Sequence, residues 1–332
     1  MIAMNTIVLI SDDNYVLPTV VMIESIVDNY NREKDLQIYV MSWMLSDENI
    51  LRINSLSRNN IIVKALLVDP DEYKDRMNLI NQNTHVTPTA LLKFEIANIL
   101  KSEDMALYLD GDMVCKKDLS PLFETNMGDN YVAASFEFLK YVANKYALKE
   151  NTKIPFYFNS GVMLLNLKKM REDEVANRLW SVKFKSYNKD SHGKGGLMDQ
   201  DTFNEVCAEK VIELPIIYNC NCNFVEYQDL EAINSIYHTE FNTAEQMENQ
   251  TVIIHFVGKT DKPWKYEGVM CQSYWDTYYK QLGMSLEALN RVKPKRNASF
   301  YIGKIRDSIN SRGVINTLRY YFDKLIVNRE KV

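Results

Sequence analysis

The chain has 332 residues, of which 46% are hydrophobic and 25% are charged, a balance typical of globular proteins with a sizeable core. The net charge is −5, but residues 291–332 contain eleven Lys or Arg and three acids, which gives +8 there and −13 in the first 290 residues. The five cysteines show no repeating spacing and no stretch approaches twenty apolar residues, which argues against a disulfide scaffold and a membrane-spanning protein.

The first 67 residues alternate apolar strands with helices. Strands are predicted at 6–10, 36–41 and 61–67 because each is a short apolar run ended by polar residues, as in strands buried on both faces. Helices are predicted at 18–29, from helical apolar spacing, and at 46–56, where Ser46 precedes two acids. This order predicts a parallel sheet with crossover helices.

The same reasoning continues to residue 283 and predicts one α/β unit. The further elements are a helix at 87–100, strands at 105–109, 131–135 and 161–167, a helix at 172–184, a helix starting near Asp199, a strand at 251–256 and a helix at 271–283. We therefore predict a domain at 1–285 and a basic, helical C-terminal tail at 286–332.

Two acids follow the strand predicted at 105–109. Because strand side chains repeat every two residues, Asp110 and Asp112 leave on one side if the strand geometry persists. They lie at the carboxyl end of a parallel strand, where such sheets place ligands, and Gly111 allows a close approach to the backbone. Two like charges this near favour a hard divalent cation, Mn²⁺ or Mg²⁺.

Two other interpretations of the acidic pair stay open on the motif alone. The first is an ordinary acidic turn after a strand. The second is a phosphatase of the haloacid dehalogenase type, in which the first Asp of a similar motif is the nucleophile. That class carries its motif near the start of the core domain, whereas Asp110 follows a complete βαβαβ unit.

A second group of polar residues follows the strand predicted at 251–256. Imidazole suits Mn²⁺ beside carboxylates, so His255 is a candidate third ligand. Gly258 can present a backbone N–H, and Lys262 can meet phosphate charge. A lone histidine at a strand end is also common as a structural residue. Together with the acids, these residues indicate a site for a metal-bound pyrophosphate.

These motifs together resemble glycosyltransferase family 8, whose members are retaining enzymes of the GT-A fold. The resemblance covers about residues 6–279 and rests on several blocks in the family's order: Ser11-Asp12-Asp13-Asn14-Tyr15, His85-Val86-Thr87-Pro88 with Leu92-Lys93, Tyr108-Leu109-Asp110-Gly111-Asp112, Phe158-Asn159-Ser160-Gly161-Val162, Asp199-Gln200-Asp201, and His255-Phe256-Val257-Gly258 with Lys262-Pro263-Trp264. It implies an α/β, GT-A nucleotide-diphospho-sugar transferase fold with a mixed, mostly parallel sheet.

The resemblance also implies roles for individual residues. Asp12 and Asn14 would contact the uridine, and Asp110 the ribose and the metal. The remaining roles implied are metal binding by Asp112 and His255, phosphate binding by Gly258 and Lys262, and contact with the donor sugar by Asn159, Asp199 and Gln200. Lys93 stands where related enzymes often carry Arg, which keeps the charge but loses a two-pronged hydrogen bond.

The activity implied is transfer of a hexose, galactose or glucose, from a UDP-sugar to a glycan or glycolipid acceptor, with Mn²⁺ or Mg²⁺. Metal and Lys262 would stabilise charge on the leaving diphosphate. The family's candidate nucleophile, Gln200, is a poor one, so we favour attack by the acceptor on the face that UDP leaves. Rival hypotheses are a sugar-1-phosphate nucleotidyltransferase, whose Gly-rich basic loop is missing from residues 11–17, and a nucleotide-sugar-binding relative without activity.

The basic tail interleaves aromatic and apolar residues with Lys and Arg after Arg291. This pattern suits a surface helix on anionic lipid, and equally a pair of helices packed on the acidic body. No nucleic-acid recognition motif accompanies the charge. We expect a cytoplasmic protein that associates peripherally with the inner face of the plasma membrane.

Overall fold

The computed structural model describes residues 4–31, 33–77, 88–137, 157–182, 198–222 and 230–294. The strands are β1 (Asn5–Ile10), β2 (Leu36–Ser42), β3 (Ile61–Leu67), β4 (Ala106–Leu109), β5 (Met113–Cys115), β6 (Val132–Phe136), β7 (Phe158–Leu165), β8 (Val211–Glu213), β9 (Cys220–Asn221) and β10 (Ile253–His255). The helices are α1 (Val16–Asn29), α2 (Asp47–Asn54), α3 (Lys74–Met77), α4 (Ile96–Ile99), α5 (Leu167–Glu172), α6 (Val175–Ser181), α7 (Met198–Cys207), α8 (Leu230–Tyr237), α9 (Ala244–Gln250) and α10 (Gln272–Gln281).

Seven strands form one mixed sheet in the order β3-β2-β1-β4-β7-β6-β8. Strands β3, β2, β1 and β4 run parallel, and β8 runs parallel to β6. Strand β7 is antiparallel to both of its neighbours. The predicted α/β fold with a mostly parallel sheet is therefore confirmed. The carboxyl ends of β1 and β4 lie side by side, with Leu9 opposite Leu109.

The sheet is buried on both faces. Along β1, Ile7 and Leu9 pack with α1, whereas Val8 packs with Leu92 on the opposite face. All three β1 side chains are fully buried. This two-sided burial is the physical reason for the uninterrupted apolar runs of the first strands.

A second, small sheet in the order β5-β10-β9 lies next to the acidic motif. Strand β10 is antiparallel to β5, with His255 opposite Met113, and parallel to β9. The N–H of Phe256 donates to the carbonyl oxygen of Asp112 at 3.0 Å. This pairing brings residue 255 beside residue 112.

The predictions for the first 67 residues are confirmed, including Ser46, which accepts from Asn49 N as the cap of α2. The helix predicted at 87–100 is different: Pro88–Glu95 is a 3-10 helix and only Ile96–Ile99 is α-helical. Side chains 91–97 are all buried, so contacts on every side of this segment, and not one amphipathic face, fix its winding.

The helix predicted at 172–184 is also different. Its first residue ends α5, which was not predicted, and the predicted range contains α6, which begins after Glu174 with its φ of +50°. Residues 183–184 lie outside the described ranges. The strand predicted at 161–167 runs from Phe158 to Leu165. The short elements β5, β8 and β9 and the helices α8 and α9 were not predicted, because segments of two to eight residues carry little periodicity.

Contacts with the body continue past residue 285. A 3-10 helix at Leu286–Leu289 packs against the α10 region, Arg291 pairs with Asp276, and Val292 bridges to Tyr266. The division at 285 stays a prediction, and the tail from 295 lies outside the described residues. In the part of the chain that the structure describes, no helix is long and apolar enough to cross a membrane.

Candidate active site

The acidic pair lies at the end of β4, where the backbone is fixed by a neighbouring strand. The N–H of Asp110 donates to the carbonyl oxygen of Gly161 on β7 at 2.8 Å. The hydroxyl of Tyr108 donates to Oδ1 of Asp110 at 2.6 Å. Oδ1 is thus held from within β4, while Oδ2 faces the second sheet. Burial, followed by the charge of Asp110, raises the pKa of Tyr108 well above its ordinary value, so this hydroxyl keeps its proton to donate.

His255 faces both carboxylates. Its Nε2 lies 3.3 Å from Oδ1 of Asp112 and 4.0 Å from Oδ2 of Asp110. One possible ligand atom from each of Asp110, Asp112 and His255 lies within 4.8 Å of the other two. Among the described residues, this is the single group of three or more Asp, Glu, His or Cys side chains close enough to hold a metal ion. Two carboxylate oxygens and one imidazole nitrogen fit a borderline-hard divalent cation such as Mn²⁺. The side chains are 6–31% exposed, which leaves room for a ligand from solvent.

Lys262 reaches the carboxylate of Asp112 from the loop after β10. Its Nζ lies 2.5 Å from Oδ2 of Asp112 and 2.5 Å from the carbonyl oxygen of Phe256. Burial alone would raise the pKa of Asp112, but the nearby ammonium of Lys262 is the largest opposing influence, and that pKa lies below its usual range. Asp112 therefore stays ionised at physiological pH. Near the start of this loop, Gly258 has a φ of +110°, a backbone conformation that favours glycine.

A second lysine neutralises the other side of the site. Lys93 is buried, and its Nζ lies 2.7 Å from Oδ2 of Asp199 and 3.5 Å from Oδ1 of Asp110. The ammonium also lies 4.5 Å from the centre of the Tyr108 ring. Burial disfavours the ammonium, but the carboxylates of Asp110 and Asp199 outweigh it and raise the pKa of Lys93. Lys93 thus ties the acidic motif to α7.

Asn159 and Gln200, predicted to face the donor sugar, meet at a carboxylate that was not predicted, that of Glu137. Oε2 of Glu137 accepts from Nδ2 of Asn159 at 2.7 Å and from Nε2 of Gln200 at 3.0 Å. Gln200 is buried, and its Oε1 accepts from the N–H of Ser160 at 3.1 Å. Both amides are therefore held in one orientation.

The residues predicted to contact the nucleoside lie at the end of β1. Oδ1 of Asp12 accepts from the N–H groups of Asn14 and Tyr15 at 3.0 and 3.1 Å. Asp12 is half-buried and Asn14 is exposed. The Tyr15 ring packs edge-on against Trp264, with ring centres 5.6 Å apart. Burial, followed by the charges of Asp112 and Asp110, raises the pKa of Tyr15, so this phenol keeps its proton.

Sequence reasoning did not single out Tyr108, Glu137, Gly161 or Asn219 as members of the site. Tyr108 had a usable signal, because it stands two residues before Asp110 and the strand repeat is two. Asn219 and Glu137 had none, since both lie where irregular backbone flanks a short strand. The structure brings Asp110, Asp112, His255, Lys262, Lys93, Asp199, Asn159 and Gln200 into one connected group.

The mixed sheet is that of a glycosyltransferase with the GT-A fold. An acidic pair follows β4, and a histidine lies beside it. The chain belongs to glycosyl transferase family 8, whose model matches residues 6–268. The family resemblance found in the sequence is confirmed.

Individual relatives agree with this assignment. A lipopolysaccharide 1,2-glucosyltransferase of Escherichia coli is 27% identical over 260 residues, which are 76% of this chain and 71% of the relative. The galactosyltransferase LgtC, solved with donor and acceptor sugar analogues, superposes with a TM-score of 0.64 at 23% identity over 87% of this chain and 98% of LgtC. The bifunctional glycosyltransferase WbbM, solved without ligands, gives a TM-score of 0.67 at 23% identity over 87% of this chain and 51% of WbbM. This chain thus spans about half of WbbM, and at these identities the structural likeness establishes the fold.

Proposed function

We propose that this glycosyltransferase moves a hexose from a UDP-sugar to a glycan or glycolipid acceptor, with retention of configuration and dependence on Mn²⁺. One observation carries the proposal: one ligand atom each of Asp110, Asp112 and His255 lies within 4.8 Å of the others, and Lys262 contacts the carboxylate of Asp112. A diphosphate bound here would meet positive charge from the cation on one side and from Lys262 on the other. LgtC is named a galactosyltransferase and the E. coli relative a glucosyltransferase, and transfer of either sugar fits the proposal.

The proposed chemistry is stabilisation of a leaving group. A bound divalent cation would supply positive charge to the diphosphate oxygens as the anomeric bond breaks. Asp110, Asp112 and His255 would hold that cation. Lys262 would exchange its contact with Asp112 for the diphosphate and stabilise the charge that develops there. Gly258, at the start of the same loop, would offer its backbone N–H to a phosphate oxygen, and Asp12 and Asn14 would bind the uridine.

Among the described residues, the two that the family places on the relevant side of the donor sugar, Gln200 and Asp199, are poor nucleophiles. Gln200 carries an amide already bonded to Ser160 and Glu137, and the carboxylate of Asp199 is tied to Lys93 at 2.7 Å. Both groups are thereby suited to hold the sugar and poorly suited to attack it. This supports retention through attack by the acceptor hydroxyl on the face that UDP leaves. Trapping a covalent sugar adduct at Asp199 or Gln200 would contradict this mechanism.

The donor is tested with a panel of UDP-sugars. We expect one hexose donor, UDP-galactose or UDP-glucose, to release UDP by slow hydrolysis in Mn²⁺ and to lose this turnover in excess chelator, because the leaving charge is then no longer stabilised. UDP-N-acetylglucosamine and UDP-glucuronate are the comparison donors. The measurement is coupled detection of UDP. Absence of binding for every UDP-sugar in calorimetry, with and without Mn²⁺, would exclude the proposal, and release of pyrophosphate from a sugar 1-phosphate and UTP would favour a nucleotidyltransferase.

We also propose that the basic tail holds the enzyme at an anionic membrane surface, on the cytoplasmic face. Residues 295–332 contain nine Lys or Arg and three acids, a net +6, and each basic residue near such a surface contributes about 1 kcal/mol. Truncation after Pro294 leaves the contacts of Arg291 and Val292 in place. The truncated enzyme is expected to lose cosedimentation with phosphatidylserine vesicles while its UDP-sugar hydrolysis is unchanged. Vesicles of phosphatidylcholine are the control, and equal binding of the truncated and full chains to anionic vesicles would refute the role of the tail.

A further inference from the structure

Hydrogen bonds run without a break from the proposed metal ligand to the donor-sugar side of the site. Nδ1 of His255 lies 2.9 Å from Oδ1 of Asn219, and Nδ2 of Asn219 donates to Oδ1 of Asn159 at 2.9 Å. Asn159 continues the line to Glu137 and Gln200. Asn219, His255 and Gln200 are each 5% exposed, so water competes little for these bonds.

Two groups with fixed hydrogen-bonding roles, the backbone N–H of Gly161 and the carboxylate of Glu137, determine which atom donates in each bond. The N–H of Gly161 donates to Asn159 at 2.9 Å, and an N–H can only donate, so that terminal atom of Asn159 is oxygen. The carboxylate of Glu137 only accepts, so the other terminal atom of Asn159 is nitrogen. Asn219 must then present nitrogen to Asn159 and oxygen to His255. An oxygen acceptor requires the proton of the neutral imidazole to be on Nδ1.

From this polarity we infer that Asn219 is a positioning residue of the active site. It accepts from the Nδ1–H of His255, which directs Nε2 toward Asp110 and Asp112, and it links that ring to Asn159. The inference rests on the metal assignment proposed above. Neutral imidazole in solution slightly favours the proton on Nε2. Without Asn219 as acceptor, part of the ring population would therefore present an Nε2–H where a lone pair is needed to bind the metal.

The local backbone shows why Asn219 can do this. Its N–H donates to the carbonyl oxygen of Ile216 at 2.9 Å, and β9 begins at the next residue. Strand β9 is parallel to β10, with Asn221 opposite His255. The small sheet therefore fixes the distance between the two side chains, and the Asn219 side chain bonds to two residues of the candidate site, Asn159 and His255.

Two substitutions separate the two bonds of Asn219. Leucine removes both, and Asn219→Leu is expected to raise the Mn²⁺ dissociation constant about 10–100-fold. Aspartate keeps an acceptor for Nδ1–H but puts an oxygen against Oδ1 of Asn159. Asn219→Asp is therefore expected to keep Mn²⁺ affinity within about threefold of wild type, while kcat for UDP-sugar hydrolysis falls about tenfold. Mn²⁺ binding is measured by electron paramagnetic resonance of the free ion.

The tautomer itself is read in metal-free protein by two-bond ¹H–¹⁵N correlation spectra at pH 8.5. The chain has four histidines, and His255→Gln identifies the signal. We expect Nδ1 of His255 to carry the proton in wild type and in Asn219→Asp, and the Nε2–H form to grow in Asn219→Leu. A wild-type ring without a proton on Nδ1 would overturn the inference, as would wild-type Mn²⁺ affinity in a folded Asn219→Leu protein.

These readouts keep the inference apart from the proposed function. If wild type binds no Mn²⁺, the metal assignment fails, and the tautomer measurement still decides the role of Asn219. Asn166→Leu is the matched control, because Asn166 caps α5 at the opposite end of β7 from Asn159. It is expected to lower Tm and to leave both the Mn²⁺ affinity and the His255 spectrum unchanged.

Discussion

Asp112→Asn is expected to lower Mn²⁺-dependent UDP-sugar turnover about 10³-fold, the loss typical when a preorganised charge is removed from a developing anion. The amide has nearly the same shape as the carboxylate, so the fold is expected to persist. It removes one of two negative charges from the proposed metal group, and it removes the anion that Lys262 contacts at 2.5 Å. The measurements are UDP release with saturating donor and Mn²⁺ affinity by titration calorimetry.

Asp173→Asn provides the control for Asp112→Asn. Asp173 accepts from Lys169 and Lys210, each at 3.0 Å, and from Tyr131, away from the carboxylates of the site. Its loss is expected to have little effect on stability, because solvent screens these ion pairs, and to leave Mn²⁺ affinity unchanged. Turnover of Asp112→Asn close to that of Asp173→Asn would remove Asp112 from the mechanism.

Gly161→Ala is expected to weaken Mn²⁺ binding about 100-fold and to lower turnover to a similar degree. A Cβ on residue 161 would lie 2.6 Å from Cε1 of His255, 2.8 Å from Oδ2 of Asp110 and 2.9 Å from Cε of Met113. The first two of these atoms are restrained, since Asn219 holds the imidazole and Tyr108 holds the carboxylate of Asp110. The overpacking is also expected to cost about 1–3 kcal/mol of stability.

The sign of the stability change identifies the cause. In an ordinary strand, Gly→Ala stabilises by about 0.4–1 kcal/mol through the unfolded chain, and Gly161 is not among the residues with positive φ. Gly283→Ala is the comparison: its Cβ would meet nothing within 4 Å, but its φ is +75°. That variant is expected to lose about 1 kcal/mol from backbone strain and to bind Mn²⁺ normally. A Gly161→Ala protein that is more stable and still binds Mn²⁺ would show that the site can expand.

Much of the fold follows from local sequence. Strands β1, β2 and β3 are continuous apolar runs because the sheet is covered on both faces, and Ser46 marks the start of α2 by its side-chain chemistry. The 3-10 winding of Pro88–Glu95 does not follow from local sequence. There Lys93 is buried against Asp199, which is 106 residues away along the chain, and no periodicity carries that information.

The site divides in the same way. Asp110 and Asp112 are predictable because one strand delivers both, and His255 because it ends another apolar strand. The second layer is not, since Asn219 precedes a strand of only two residues whose place is set by pairing with β10. Glu137 lies at the end of β6, where a register irregularity between Ala134 and Phe136 changes the alternation on which a sequence argument depends.

The pairing of Met113 with His255 has a consequence for the newly synthesised chain. At 5–20 residues per second, His255 and Lys262 leave the ribosome on the order of ten seconds after Asp112. During that interval the nascent N-terminal half must carry two adjacent carboxylates without either partner. Lys93 is made before them and contacts Asp110 within the same half. Of the two lysines beside the acidic pair, Lys93 is therefore the one present in the nascent chain during that interval.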